Sequence, residues 1–194
     1  MMTNMKRLLL LCTLLISFNS FADELSDALT SYVRGDYTTA ITSYKKLAEK
    51  GHATAQFYLG AMYDKGQGTL QNTKEAIKWY TKAAEQGSAR AQSGLGVMYN
   101  HGYGTPQDYR AAIKWYTEAA EQGVAKAQNN LGAMYVEGKG TPQDYVMAHM
   151  LWNIAAANGD ENAKGNRDMV AGIMTPNQIE QAQKLAKEWM EKYN

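Results

Sequence analysis

Between Gly51 and Gly159 the chain repeats itself every 36 residues, and Gly51, Gly87, Gly123 and Gly159 close the successive units. Residues 53–63, 89–99 and 125–135 share the pattern Ala-x-Ala-Gln-x-x-Leu-Gly-x-Met-Tyr, and each copy runs on into a Gly-x-Gly loop and a second apolar segment. A period between 20 and 50 residues is the signature of a solenoid, in which each unit buries its apolar face against its neighbours. Such arrays expose extended binding surfaces, so the repetition points to partner binding.

The first 22 residues stand apart from the array. Lys6 and Arg7 precede the apolar run Leu8 to Ile16, and Ser20 and Ala22 supply small residues ahead of Asp23. This is the layout of a secretory signal peptide with cleavage after Ala22, and Met5 is a second candidate start. The run is shorter than the roughly 20 residues needed to span a bilayer, so no membrane span is expected after cleavage. The expected destination is the periplasm or the exterior. Cys12 lies inside the leader without a small residue before it, so the mature chain is expected to carry neither thiol nor lipid anchor. Stability must then come from packing.

Removing Lys6 and Arg7 with the leader leaves 18 of the 20 basic residues against 19 acidic ones. A near-neutral chain with both signs interspersed lacks the basic stripe of a nucleic-acid binder.

Each repeat reads as two helices. In the second segment Ala76, Ile77, Tyr80, Ala83 and Ala84 recur at helical spacing, and the same face returns as Ala112, Ile113, Tyr116, Ala119 and Ala120. Asn72, Asp108 and Asp144 stand at the N-cap positions, and Pro106 and Pro142 end the loops before two of them. The first segment places Ala55, Leu59 and Tyr63 on one face. Gly60, Gly96 and Gly132 recur inside these first helices, where glycine costs about 1 kcal/mol relative to alanine. Three at one register predict a neighbouring helix too close for a side chain. The pairs Gly66 and Gly68, Gly102 and Gly104, and Gly138 and Gly140 supply the loops. No strand precedes them and no lysine and hydroxyl follow in P-loop order, so they are not phosphate cradles.

Upstream, residues 23–51 form a shorter helical unit in which Gly35, Asp36 and Tyr37 start a helix carrying Ala40, Ile41, Tyr44 and Leu47. Three units follow at 52–87, 88–123 and 124–159. Downstream, residues 160–194 diverge: Arg167 and Asp168 fall at the register of Leu131 and Gly132, as expected of a polar cap. Thr175-Pro-Asn-Gln178 is a capping box with proline at the first helical position, and it opens a last helix bearing Ile179, Ala182, Ala186, Trp189 and Met190.

The motif, continued as Asp-Tyr-x-x-Ala-Ile-Lys-Trp-Tyr-x-x-Ala-Ala-Glu-Gln-Gly, resembles the Sel-one-like repeat of the tetratricopeptide superfamily. The resemblance covers residues 52–159 closely and 25–51 more loosely, and Met174-Thr-Pro-Asn-Gln-Ile179 resembles the ending of bacterial members. It implies an all-α, right-handed solenoid of stacked antiparallel helix pairs, about five here, acting without cofactor or reaction as an adaptor for a protein or peptide of the envelope or of a host. In related tetratricopeptide arrays the first helices line a concave face. Carried onto this chain, that face holds Thr54, Phe57, Ala61, Asp64 and Lys65 in one unit. The next contributes Arg90, Ser93, Val97, Asn100 and His101, and the third Lys126, Asn129, Ala133, Val136 and Glu137. These positions vary while their neighbours repeat, as a ligand surface would, although solvated positions vary too. Arg90 and Lys126 share a register suited to holding a carboxylate, and Phe57 is the expected apolar anchor.

Catalytic chemistry finds less support. His52, His101 and His149 fall at unrelated registers, without metal-ligand spacing. Ser43-Tyr-Lys-Lys46 matches the Ser-x-x-Lys element of penicillin-recognising enzymes, and some cysteine-rich relatives are described as β-lactam binding or hydrolysing. The companion Lys-Thr-Gly strand and the cysteine pairs of those relatives are missing, so a solvated helix face is the better reading. Trp79, Trp115 and Trp152 read as one series at the repeat period, as Tyr63, Tyr99 and Tyr135 do. Repetition at packing registers argues for core, and glycan or peptidoglycan binding remains the alternative.

Overall fold

The computed structural model describes residues 23–193, so the leader read at 1–22, with Cys12, lies outside the described residues. Helix α1 spans residues 23–33. It is followed by α2 (Tyr37–Glu49), α3 (Ala53–Lys65), α4 (Thr73–Glu85), α5 (Ala89–His101), α6 (Tyr109–Glu121), α7 (Ala125–Glu137), α8 (Tyr145–Ala157), α9 (Glu161–Ala171) and α10 (Pro176–Tyr193). No strand occurs among the described residues. No helix among them is long and apolar enough to cross a membrane. The fold is all-α, built of helix pairs at a 36-residue period. The helices gather into two compact units that part within α4, after Trp79.

Each repeat is folded by the same local chemistry. Helices α3, α5 and α7 end on Gly66, Gly102 and Gly138, whose φ values of 66°, 71° and 64° are left-handed and favour glycine. The chain then turns back, and the N–H groups of Asn72, Asp108 and Asp144 donate to the carbonyls of Tyr63, Tyr99 and Tyr135 at 2.8, 2.9 and 2.9 Å. The same three residues cap the next helix. Asn72 accepts from the Glu75 amide, Asp108 from those of Arg110 and Ala111, and Asp144 from that of Met147. The capping box forms as well: Gln178 N–H donates to Thr175 Oγ1 at 3.3 Å and Thr175 N–H to Gln178 Oε1 at 2.9 Å.

In the first unit Ala40, Tyr44, Leu47 and Ala48 of α2 pack on Ala55, Leu59 and Met62 of α3. The ring of Tyr44 stacks on that of Tyr58, with centroids 5.0 Å apart. In the second unit the faces read from the sequence are buried: Ala112, Tyr116, Ala119 and Ala120 from α6, then Ala182 and Ala186 from α10. Ile113, Ile179, Trp189 and Met190 are half-buried around them. Helix α8 is the centre of this unit, packing on α7, α9 and α10. Accordingly seven of its residues are buried, including Met150, Leu151, Trp152 and Ile154.

The repeated glycines inside first helices have the expected cause. A Cβ on Gly96 would fall inside the contact distance of the Tyr116 ring, and one on Gly132 would lie 2.8 Å from Trp152 Nε1. This pairing also corrects the tryptophan series. Trp152 lies 37 residues after Trp115, so it takes the register of Tyr116, while Leu151 takes that of Trp115. Trp115 itself is half-buried beneath Lys114, whose Nζ lies 4.8 Å from the ring centroid.

A buried glutamine recurs at the fourth position of each first helix. Gln56, Gln92 and Gln128 donate through Nε2 to the carbonyls of Ala48, Ala84 and Ala120 at 3.2, 3.3 and 2.9 Å. Gln92 Oε1 also accepts from Gln122, and Gln128 Oε1 from Asn158.

Gly94 and Gly96 make a discriminating pair. A Cβ at Gly94 would meet the Tyr80 ring at 3.4 Å, an ordinary contact. Gly94→Ala is expected to leave stability unchanged or raise it by up to about 1 kcal/mol through helix propensity. Gly96→Ala is expected to lower it by about 1–3 kcal/mol through overpacking, and urea unfolding of both variants checks the contrast.

Candidate functional site

The surface formed by the first helices divides between the two units. In the first, Thr54 and Lys65 of α3 are exposed, whereas Phe57 and Asp64 are half-buried. Phe57 packs edge-on against Tyr58 at 5.3 Å, so part of the expected anchor is already covered. Burial raises the Asp64 carboxyl above its ordinary value, and the neighbouring Lys65 charge opposes that rise.

In the second unit α5 and α7 pack side by side. Arg90 and Lys126 occupy the second position of each helix, are exposed, and form no ion pair among the described residues. Their helices begin at Ser88 and Val124 without a side-chain cap. Uncapped amides thus accompany a cation at the positive end of both helix dipoles. A cation there is disfavoured by about 0.3–1 kcal/mol, whereas an anion is favoured by both the amides and the charge. Ser93 lies half-buried one turn further on α5.

The remaining residues divide by what they already touch. Asn129 is engaged in packing: its carbonyl accepts from Trp152 Nε1 at 3.0 Å and its Oδ1 accepts from Asn166 at 3.0 Å, tying α7 to α8 and α9. Val136 is half-buried against the core, and its carbonyl accepts from the Gln143 side chain. Glu137 pairs with Lys139 at 2.6 Å. Asn100 and His101 gather at the end of α5, where the His101 ring stacks on exposed Tyr103 with centroids 5.2 Å apart. Among the described residues no three of His, Cys, Asp and Glu come together as metal ligands.

The same registers continue onto α9. Thirty-six residues beyond Ala133 and Glu137 stand Met169 and Ile173, which are 74% and 66% exposed. The period contained this signal, but the divergence at Arg167 and Asp168 obscured it.

Ser43 and Lys46 lie on α2, and Lys46 Nζ sits 3.2 Å from Glu24 Oε1, with Lys50 3.5 Å from the other oxygen. The two lysines hold the Glu24 carboxyl below its ordinary value, Lys46 foremost. Lys46 is thus committed to Glu24 rather than to Ser43. The cavity beside them measures about 120 Å³, below the range of small-molecule sites.

The repeat decides the family. The Sel1 repeat matches residues 53–88, 89–124 and 125–160, more than half of the chain and one residue later than the boundaries read from the sequence. The chain belongs to the Sel1 repeat family. It is similar to the crystal structure of a Sel1 repeat protein from Oxalobacter formigenes, with 37% identity and a TM-score of 0.72 over 76% of this chain and 59% of that one. It is also similar to c5321, a protective antigen of uropathogenic Escherichia coli strains with an SLR fold. There the identity is 32% and the TM-score 0.55 over 80% of this chain and 41% of that one. The chain thus spans less than two thirds of either structure's length. No curated protein matches it significantly. Sel1 repeat folds are generally scaffolds for protein interactions.

One buried titratable group remains. His149 of α8 stands where Ile113 stands one period earlier, is 3% exposed, and its Nδ1 has no hydrogen-bond partner. Burial, and then the Arg167 charge, push its pKa below the ordinary 6.5, while Asp168 opposes them. The neutral ring therefore belongs to the folded state, and its contribution is intact above pH 6.5. It is lost as pH falls from 6.5 through the lowered folded value, because the unfolded chain takes the proton first. His149→Ile is expected to flatten the acid limb of unfolding stability over that window. An unchanged slope in pH-dependent urea titrations would refute the assignment.

Proposed function

We propose that this Sel1 repeat chain is a non-enzymatic scaffold of the bacterial envelope or exterior, and that it holds an acidic protein segment on the face formed by its first helices. The observation that carries the reading is the pair of unpaired cations, Arg90 and Lys126, at the uncapped starts of adjacent α5 and α7. Placed there, each costs the free protein stability, and a partner carboxylate reverses that cost on binding. Met169 and Ile173 extend the same registers with exposed apolar side chains, so the segment best suited is acidic near α5 and α7 and apolar near the end of α9. The leader pattern at residues 6–22 supports export, and that the similar c5321 is a protective antigen supports an envelope or secreted position.

The double variant Arg90→Glu, Lys126→Glu is the test. With residues 23–194 as bait in envelope extract and in host lysate, prey held by the wild type should be lost from the variant, at equal helicity and melting temperature. Each reversed contact should weaken a binary complex by about ten-fold or more. Equal capture by both baits would remove the two cations from the account.

A further inference from the structure

A second surface, built from the end of α5, the loop after it and the start of α6, has the chemistry of a ligand site. We infer that the loop edge of the second unit binds a short glycan in an open depression of about 530 Å³. Its lining includes Tyr99, Tyr109, Thr105, Gln107, Asp108 and Arg110. The volume lies within the range of small-molecule clefts. The depression exists because Gly140 brings the next loop down onto the start of α6. Its φ is +73°, and a Cβ there would lie 2.8 Å from that of Tyr109.

The lining polar groups are only partly used. Asp108 Oδ1 accepts from the Arg110 and Ala111 amides, while Oδ2 accepts no hydrogen bond among the described residues. Gln107 spends Nε2 on the Asn100 carbonyl at 2.7 Å, and its Oε1 is left as an acceptor. The Arg110 guanidinium is exposed and forms no ion pair among the described residues. The Arg110 cation, carboxylate and amide oxygens, and hydroxyl groups therefore surround two half-buried tyrosine rings, with a second cation, Lys139 Nζ, 5.7 Å from the Tyr109 ring centroid.

A peptide anchor needs a closed apolar socket, and Pro106 is the only aliphatic side chain in this lining. Sugars fit it better, because their hydroxyls both donate and accept and their C–H faces rest on aromatic rings. The depression in the first unit, of about 440 Å³, is built differently: Tyr63 and Thr69 lie there beside Gly68 of their own loop and against Ile41, Lys45, Lys46 and Glu49 of α2.

Titration of the full chain with chitotriose, maltotriose and the N-acetylglucosamine–N-acetylmuramic acid disaccharide tests the site, with amide resonances of Tyr99, Tyr109 and Gly140 as reporters. At least one of these sugars should shift them saturably. Arg110→Ala should weaken that binding by about ten-fold, the loss expected for a charged hydrogen bond, and Arg90→Ala should leave it unchanged. The inference is overturned if none of the three perturbs those amides up to about 10 mM, or if Arg110→Ala binds as tightly as wild type. Neither failure touches the protein-binding reading, which is read out at Arg90 and Lys126.

Discussion

The structure of the repeats depends on a carboxamide buried where the sequence puts glutamine at the fourth position of each first helix. Gln92 donates to the carbonyl of Ala84 at the end of one second helix and accepts from Gln122 at the end of the following one. Gln128 does the same between Ala120 and Asn158. The Ala84 and Ala120 carbonyls also accept from the Gly87 and Gly123 N–H groups at 2.9 and 3.0 Å, so the glutamine adds a second bond to each, at a net gain of about 0.5–1.5 kcal/mol per bond. One side chain thus ties the end of one second helix to the end of the next, which apolar packing alone would do without fixing register.

Around that clamp, aromatic rings set the spacing. Tyr116 and Trp152 press onto Gly96 and Gly132 of the first helix in their own repeat. Tyr116 also reaches the next first helix, its Oη accepting from Asn130 at 3.3 Å, whereas Trp152 Nε1 donates to the Asn129 carbonyl on the same helix as Gly132. The last repeat departs from this scheme. Helices α9 and α10 both pack on α8, and Tyr193 at the end of α10 donates to Glu121 of α6 at 2.7 Å. Packing consumes those faces and leaves Arg90 and Lys126 at the first-helix starts, and Arg110 at the loop edge, exposed.

Much of this was legible because the period multiplies weak signals. One glycine in a helix is ambiguous, but Gly60, Gly96 and Gly132 at one register announce a close approach, and Asn72, Asp108 and Asp144 announce caps. Other features were hidden for physical reasons. A repeated glutamine reads as a solvated residue, since burial of a carboxamide is favourable only once its partners are known. Substitution at two neighbouring registers, Leu151 at that of Trp115 and Trp152 at that of Tyr116, moved a ring from one to the other. At the candidate site Arg90 and Lys126 were readable as a pair, but the uncapped starts of their helices were not. Asn129 and Val136 looked free because their partners, Trp152, Asn166 and Gln143, lie in later elements. The loop-edge depression escaped because Gly140 meets Tyr109 only after the chain has passed through two helices.

Replacing Gln128 with leucine tests the coupling most directly, since it keeps the side-chain volume and removes the bonds to Ala120 and Asn158. Urea unfolding with amide hydrogen exchange should show a loss of about 1–3 kcal/mol, with protection falling first at the final turns of α6 and α8. Wild-type stability and protection at those turns would mean that apolar packing alone holds successive units together.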